Sequence, residues 1–229
     1  MKRIIIGIFA HPDDEIMGPG GTLLLESRSG ADLHLITFTD GRAGTNPDNL
    51  KDLGVTRLNE WRSAGVLLGA KTMHHLGYDD GALNNLTMIE ATARISIIIE
   101  SILKDEPTND TEIELITLDL NGLTGHIDHI VAARTACHVF YNFKNQDPRF
   151  IRLRLFCLPA DEYPVDNTEW IYMEKGRSNE EVDEVIDATA LNDSIREIIR
   201  VHSTQRDDGE RIIARQKEML GKNHFIIKR

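Results

Sequence analysis

Only two of the 229 residues are cysteine, which excludes a fold held together by a disulfide framework. Cys137 and Cys157 each sit among apolar neighbours, as buried free thiols of a reducing compartment do. Positive charge is also short: 26 Lys and Arg stand against 37 Asp and Glu, for a formal charge of −11. A phosphate-backbone binder needs clustered cations, so nucleic acid is excluded as a partner. Long apolar runs are missing too. The stretch Ile95 to Leu103 is broken by Ser96, Glu100 and Ser101, and it falls far short of the ~20 residues of a membrane helix. Met1-Lys2-Arg3 followed by Ile4 to Phe9 imitates a signal peptide, but Asp13, Asp14 and Glu15 fall where cleavage would come, so the run reads as a strand. No repeat or low-complexity tract appears. After Gly18-Pro19-Gly20-Gly21 the third glycine of a dinucleotide fingerprint would fall at Leu23, and no Walker lysine follows. The expectation is a cytoplasmic protein with no membrane span, acting on a small molecule, with homo-oligomerisation left open.

What is present is an alternation of apolar runs and helical patterns, the signature of βαβ units. It predicts one α/β domain over residues 1–229, a Rossmann-like, mostly parallel sheet with helices on both faces, and a less regular part from about residue 160. Strands are expected at Arg3 to Phe9, Leu33 to Phe38, Thr72 to His75, Glu112 to Leu118 and Leu153 to Leu158, with Val182 to Asp187 a sixth. Apolar residues returning at three and four place helices at Gly20 to Ser29, Gly54 to Leu68, Thr87 to Lys104, Ile127 to Phe143, Asn192 to Val201 and Gly209 to Leu220. Loops are expected at Asp40 to Asp52 and at Asp161 to Ser178.

Two clusters fall at strand exits. Ala10-His11-Pro12-Asp13-Asp14-Glu15 follows the first strand, and Gly125-His126-Ile127-Asp128-His129 comes just past the fourth. Carboxyl ends of parallel strands open into the crevice where such sheets bind ligands. Together the clusters offer four carboxylates and three imidazoles, more than the three nitrogen or oxygen ligands of a catalytic Zn²⁺. A closed structural site needs ligands only; a hydrolytic one also needs a base, an acid and an orienting group.

The string His11-Pro12-Asp13-Asp14-Glu15, with Gly20-Gly21-Thr22 and Gly125-His126-x-Asp128-His129, resembles the LmbE/PIG-L-like family of zinc-dependent N-acetylglucosaminyl deacetylases. Weaker echoes run along the chain at Thr39-Asp40-Gly41, Arg57-x-x-Glu60, Leu76-Gly77-Tyr78-Asp79 and His202-Ser203-Thr204-Gln205. One departure is Ile127, where the family usually has proline. The resemblance implies that His11, Asp14 and His129 ligate the metal, that Asp13 is the general base, and that His126, oriented by Asp128, is the acid or electrophile. It implies Zn²⁺ as cofactor, with Fe²⁺ or another divalent ion also suited to this ligand set. The substrate it implies is an N-acetylglucosamine-containing small molecule or glycoconjugate, cleaved at its amide. Glu15 is expected to hydrogen-bond a ligating histidine or to serve as a helix N-terminal charge.

Around this centre, Arg42, Arg57, Asp79 and His202 are candidate substrate contacts, since guanidinium forks and carboxylates at strand exits can hold sugar hydroxyls. Each also has a plainer reading, as a surface ion pair, a turn residue or a helix cap. Three other functions compete: a two-metal phosphoesterase, a non-haem iron enzyme built on two histidines and a carboxylate, and a sugar- or metal-binding module without catalysis. Asp13, a spare base, weighs against iron chemistry.

Overall fold

The computed structural model describes residues 1–104, 106, 110–160 and 176–229. Its centre is a seven-stranded sheet, with β1 (Lys2–Phe9), β2 (Asp32–Thr39), β3 (Ala70–Tyr78), β4 (Thr111–Leu118), β5 (Phe150–Cys157), β6 (Glu184–Asp187) and β7 (Lys222–Lys228) in the order β3-β2-β1-β4-β5-β7-β6. The first five run parallel; β7 lies antiparallel between β5 and β6. The single-domain, mostly parallel architecture is the one the βαβ alternation implies.

Strand β1 shows why. Ile4, Ile6 and Ile8 face one layer and Ile5 and Phe9 the other, so both faces are covered and the strand is apolar throughout. On the first face, Ala91, Ile95 and Ile99 of α4 (Asn85–Leu103) and Ala132, Ala136, Val139 and Phe140 of α6 (Ile127–Lys144) close the core. The second face packs on Leu23 and Leu24 of α2 (Gly20–Arg28), Trp61, Ala64 and Leu68 of α3 (Leu53–Leu68), and Ile195, Ile198 and Ile199 of α7 (Asn192–Val201). Among the described residues no helix is long and apolar enough to cross a membrane.

Chain direction across the sheet reverses beside β1. The path runs outward through β2 and β3, then returns to β4 on the other side of β1, with Ile4 paired to Ile113 and Gly7 to Ile116. That is a topological switch point, and both sequence clusters sit at its carboxyl edge.

Four elements depart from expectation. Strand β7 is not anticipated, and it shields the edge of β5 that the sixth expected strand would otherwise extend; β6 pairs with β7 alone. Two one-turn helices, α1 (Asp14–Met17) and α5 (Gly122–Gly125), are too short to leave a periodic signal. Helix α8 is Arg206–Gln216, followed by a 3-10 turn at Lys217–Met219, rather than Gly209 to Leu220. Of the loop expected at Asp161 to Ser178, residues 161–175 lie outside the described residues.

Candidate metal centre

Strand β1 ends at Phe9, and the chain turns through His11, Pro12 and Asp13 into α1. Asp14 closes that turn with one carboxylate oxygen: Oδ2 accepts from the amides of Ala10 (3.1 Å) and His11 (2.9 Å). Its other oxygen, Oδ1, lies 3.2 Å from His129 Nε2. His129 Nε2 is in turn 3.1 Å from His11 Nδ1, which lies 3.7 Å from Asp14 Oδ2. Tetrahedral ligands at 2.0–2.1 Å from a metal are spaced about 3.3 Å from one another, so His129 Nε2 is at ligand spacing from both His11 Nδ1 and Asp14 Oδ1, and His126 brings a third ring nitrogen close enough to share an ion with His11 and His129.

Partners on the far sides of the rings fix the tautomers. His129 Nδ1 donates to the carbonyl of Gly122 at 3.1 Å. His11 Nε2 faces Asp80 Oδ1 at 3.0 Å and Asp128 Oδ2 at 3.4 Å. Without a metal, a proton on His11 Nδ1 can bridge the 3.1 Å gap to His129 Nε2; a divalent ion would take that proton's place, facing two ring nitrogens and the Asp14 carboxylate, and the donor set fits such an ion.

The surrounding electrostatics carry the same imprint. Burial alone would lower His11, but the Asp128 and Asp80 carboxylates push it up to about 10 when no metal is present. Asp14 is held below the usual carboxylate range: burial opposes, and His129 and His11 prevail. Asp13 is pushed up to about 6 by burial, against the pull of Arg57. Burial, then the neighbouring His129 and His11, push His126 down to about 4, so its imidazole is neutral at pH 7. His126 Nδ1 accepts from the Asp128 amide at 3.2 Å, which places the ring proton on Nε2. The His126 ring lies 4.9 Å from His11 and 4.8 Å from His129 between centroids.

Asp13 has φ 111° and ψ −26°, a conformation L side chains rarely adopt. Arg57 of α3 reaches under it: one guanidinium nitrogen bonds Pro12 O (2.8 Å) and Asp13 Oδ2 (2.9 Å), the other Gly41 O (2.6 Å). These groups open on a cavity of about 850 Å³. Gly44 and Thr45 line one wall, Leu118 and Phe156 at the ends of β4 and β5 another, and Arg211 and Arg215 of α8 complete the rim.

The structure thus brings His11, Asp13, Asp14, His126, Asp128 and His129 together. It places the expected periphery differently. Arg42, with 64% of its side chain exposed, is gripped by Asp40 two residues away and does not line the cavity. Arg57 is buried and committed to the backbone and Asp13. Asp79 is exposed, and Asp80 is the residue of that turn that reaches His11. His202 is fully buried, with Nε2 3.5 Å from Glu15 Oε1. Asp128 accepts from the amides of Gly81 (2.7 Å) and Leu83 (3.1 Å) and lies against His11, so its carboxylate orients a ring other than the one expected. Asp80 is the residue the sequence reading missed; nothing in Asp79-Asp80-Gly81 tells which carboxylate turns inward.

The family model for PIG-L, described as GlcNAc-PI de-N-acetylase, matches residues 6–140, more than half of the chain. The chain belongs to the PIG-L family. This PIG-L chain is 25% identical over 235 residues to a 1D-myo-inositol 2-acetamido-2-deoxy-alpha-D-glucopyranoside deacetylase of Mycobacterium sp. (strain KMS), covering 88% of this chain and 73% of that relative. Its fold is similar to that of the N,N'-diacetylchitobiose deacetylase from Pyrococcus horikoshii, with TM-score 0.67 at 22% identity over 99% of this chain and 83% of that one. It is equally similar to GalB, a 4-carboxy-2-hydroxymuconate hydratase from Pseudomonas putida KT2440, with TM-score 0.68 at 14% identity over 99% and 96%. A scaffold shared by deacetylases and a hydratase fixes no reaction, and the PIG-L assignment rests on the sequence match.

Proposed function

We propose that this protein is a zinc-dependent N-deacetylase acting on an N-acetylglucosamine-containing small molecule or glycoconjugate. The observation that carries the reading is the clustering of His11 Nδ1 and Asp14 Oδ1 on His129 Nε2 beside the Asp13 carboxylate, which Arg57 holds, in the lining of one cavity. His11, Asp14 and His129 would hold the metal. When bound, a divalent ion supplies a Lewis acid and lowers the pKa of its water toward ~7.

Asp13 is spent neither on the ligand triangle nor on solvent, and its raised pKa suits a group that takes a proton and returns it. It accepts the proton of the attacking water as the bond to the acetyl carbon forms. It then delivers that proton to the amide nitrogen as the carbon–nitrogen bond breaks, leaving a free amine and acetic acid, which ionises to acetate at neutral pH. Arg57 keeps the Asp13 carboxylate aimed through this exchange. His126 offers its Nε2 proton as a neutral donor to the oxygen that gains charge during attack. Asp80 and Asp128 hold the His11 ring, and Gly122 holds His129.

The GlcNAc-PI description of the family and the deacetylase relative support an amide of an amino sugar as the scissile bond. Arg211, Arg215 and Gln216 on the rim are groups for the far end of such a substrate. Cys137 and Cys157, both free and with thiols pushed up to about 11 and 12 by burial, suit a reducing compartment such as the cytoplasm. Acetate release from free N-acetylglucosamine, diacetylchitobiose and an inositol-linked N-acetylglucosamine, with and without added Zn²⁺, tests the proposal. Metal-dependent release from any one of them is the expected result. Stoichiometric metal binding with no release from any of them would leave only a binding module.

A further inference from the structure

Beneath Asp13 lie two titratable side chains with 0% exposure that the reaction above leaves idle, Glu15 and His202. Asp13 holds its positive φ because its neighbours overdetermine it. Arg57 grips the Pro12 carbonyl on one side of its peptide, and on the other the Asp13 amide donates to Glu15 Oε2 at 3.1 Å. The other oxygen of Glu15 lies 3.5 Å from His202 Nε2 and has no hydrogen-bond partner among the described residues, nor have the two His202 ring nitrogens. Each therefore faces the other across 3.5 Å of dry interior, and a buried carboxylate needs such a polar neighbour.

His202 is itself pinned. Its amide donates to Ile199 O at the end of α7, and its carbonyl accepts from Gln205. The next residues are clamped to α3 and the loop after β2: Ser203 and Thr204 donate to Glu60, and Gln205 exchanges hydrogen bonds with Thr45. A rigid post from the last quarter of the chain thus stands under the base, and among the described residues it makes no hydrogen bond or ion pair with His11, Asp14 or His129.

We propose that Glu15 and His202 are positioning residues: Glu15 clamps the Asp13 amide and His202 holds the Glu15 carboxylate, so that Asp13 keeps the strained backbone that aims it at the reacting water. This rests on Asp13 acting as base. A pair kept only for stability would serve the ligands and the base alike, whereas a clamp on the Asp13 peptide serves turnover and spares metal binding.

The test compares the holoenzyme with Glu15→Met, Glu15→Gln and His202→Phe by steady-state kinetics, metal analysis and crystal structures. Methionine fills the space without an acceptor; glutamine can turn its carbonyl to the Asp13 amide and its NH₂ to His202. Glu15→Met is expected to lose about 10- to 100-fold in kcat, the range for groups that orient a ligand or base from behind, with KM and metal content unchanged and Asp13 φ turned negative. His202→Phe is expected to show the same split, and Glu15→Gln to keep most of the turnover and the positive φ. Wild-type kcat in Glu15→Met with Asp13 unmoved, or a loss that follows metal loss, overturns the proposal. Should Glu15→Met fail to fold, the kinetics and Asp13 φ of the other two variants decide in the same way. If the wild type releases no acetate, the deacetylase reading fails, and the Asp13 φ in the variant structures still decides the clamp.

Discussion

Replacing Asp13 by asparagine separates the base from everything around it. Asparagine keeps the shape and, through Oδ1, the acceptor for Arg57, whose other bonds to Gly41 O and Pro12 O are untouched. Loss of a general base is worth about 10²- to 10⁴-fold in rate, or ~2.7–5.5 kcal/mol of barrier. Stability should move the other way. Burial raises the carboxyl from 3.8 to about 6, and ionising it at pH 7 therefore opposes folding by ~3 kcal/mol. Because the folded value is the higher one, the stability this group allows is complete below pH 3.8 and lost as pH rises through about 6. The metal-free variant should accordingly resist urea better than the metal-free wild type at pH 7, and the gap should close at pH 4. Turnover has the opposite dependence, since the base works deprotonated: wild-type kcat should fall with pH on an acid limb at or below about 6, where a nearby cation can only pull it lower. Acetate release, metal analysis and urea titration of the two proteins together decide. An unchanged kcat, a loss matched by metal loss, or an acid limb that survives in the variant would refute Asp13 as base.

His129→Ala should abolish stoichiometric metal binding, and chelation of the wild type should lower its melting temperature, since a ligand at 1,000 times its Kd adds about 4 kcal/mol. Metal analysis should give one ion per chain; two would favour a second site at His11, Asp80 and Asp128 and reopen the phosphoesterase alternative. Asp80→Asn should weaken metal affinity by about 10- to 100-fold, while Asp79→Asn, exposed and turned away, leaves it unchanged in a competition titration. Arg154, with 1% exposure, bonds Glu26 at 2.8 Å and lies 3.2 Å from Glu114, so Arg154→Ala removes one cation from a buried cluster in which those carboxylates keep Arg3 and Arg152, and should cost about 1–3 kcal/mol in urea unfolding, with metal binding intact.

The parallel sheet and its five leading strands could be read from apolar runs because both faces of β1, β2 and β4 are buried, leaving a continuous signal. The two clusters were legible for the same reason: each follows such a run directly. Strand β7 was not, because Lys222–Lys228 follows a helix and pairs antiparallel with strands far away in sequence, a partnership no local pattern encodes. The rim failed in a different way. Arg42 and Arg57 have the chemistry of substrate contacts, but the carboxylates of Asp40 and Asp13 claim them first, and that competition is settled by distances. Which of Asp79 and Asp80 turns inward, and that Glu15 meets His202 across 187 residues, likewise depend on packing.

Strand β7 also constrains how the molecule assembles during synthesis. All seven ionisable residues of the two clusters have been made by residue 129, yet β6 has no strand partner until Lys222–Lys228 emerges, and α2 waits for Asn223, whose side chain accepts from the Thr22 amide and hydroxyl. A nascent chain can therefore gather its parallel strands early and still lack the element that caps β5, leaving an open, apolar sheet edge exposed on the ribosome until the last strand is delivered.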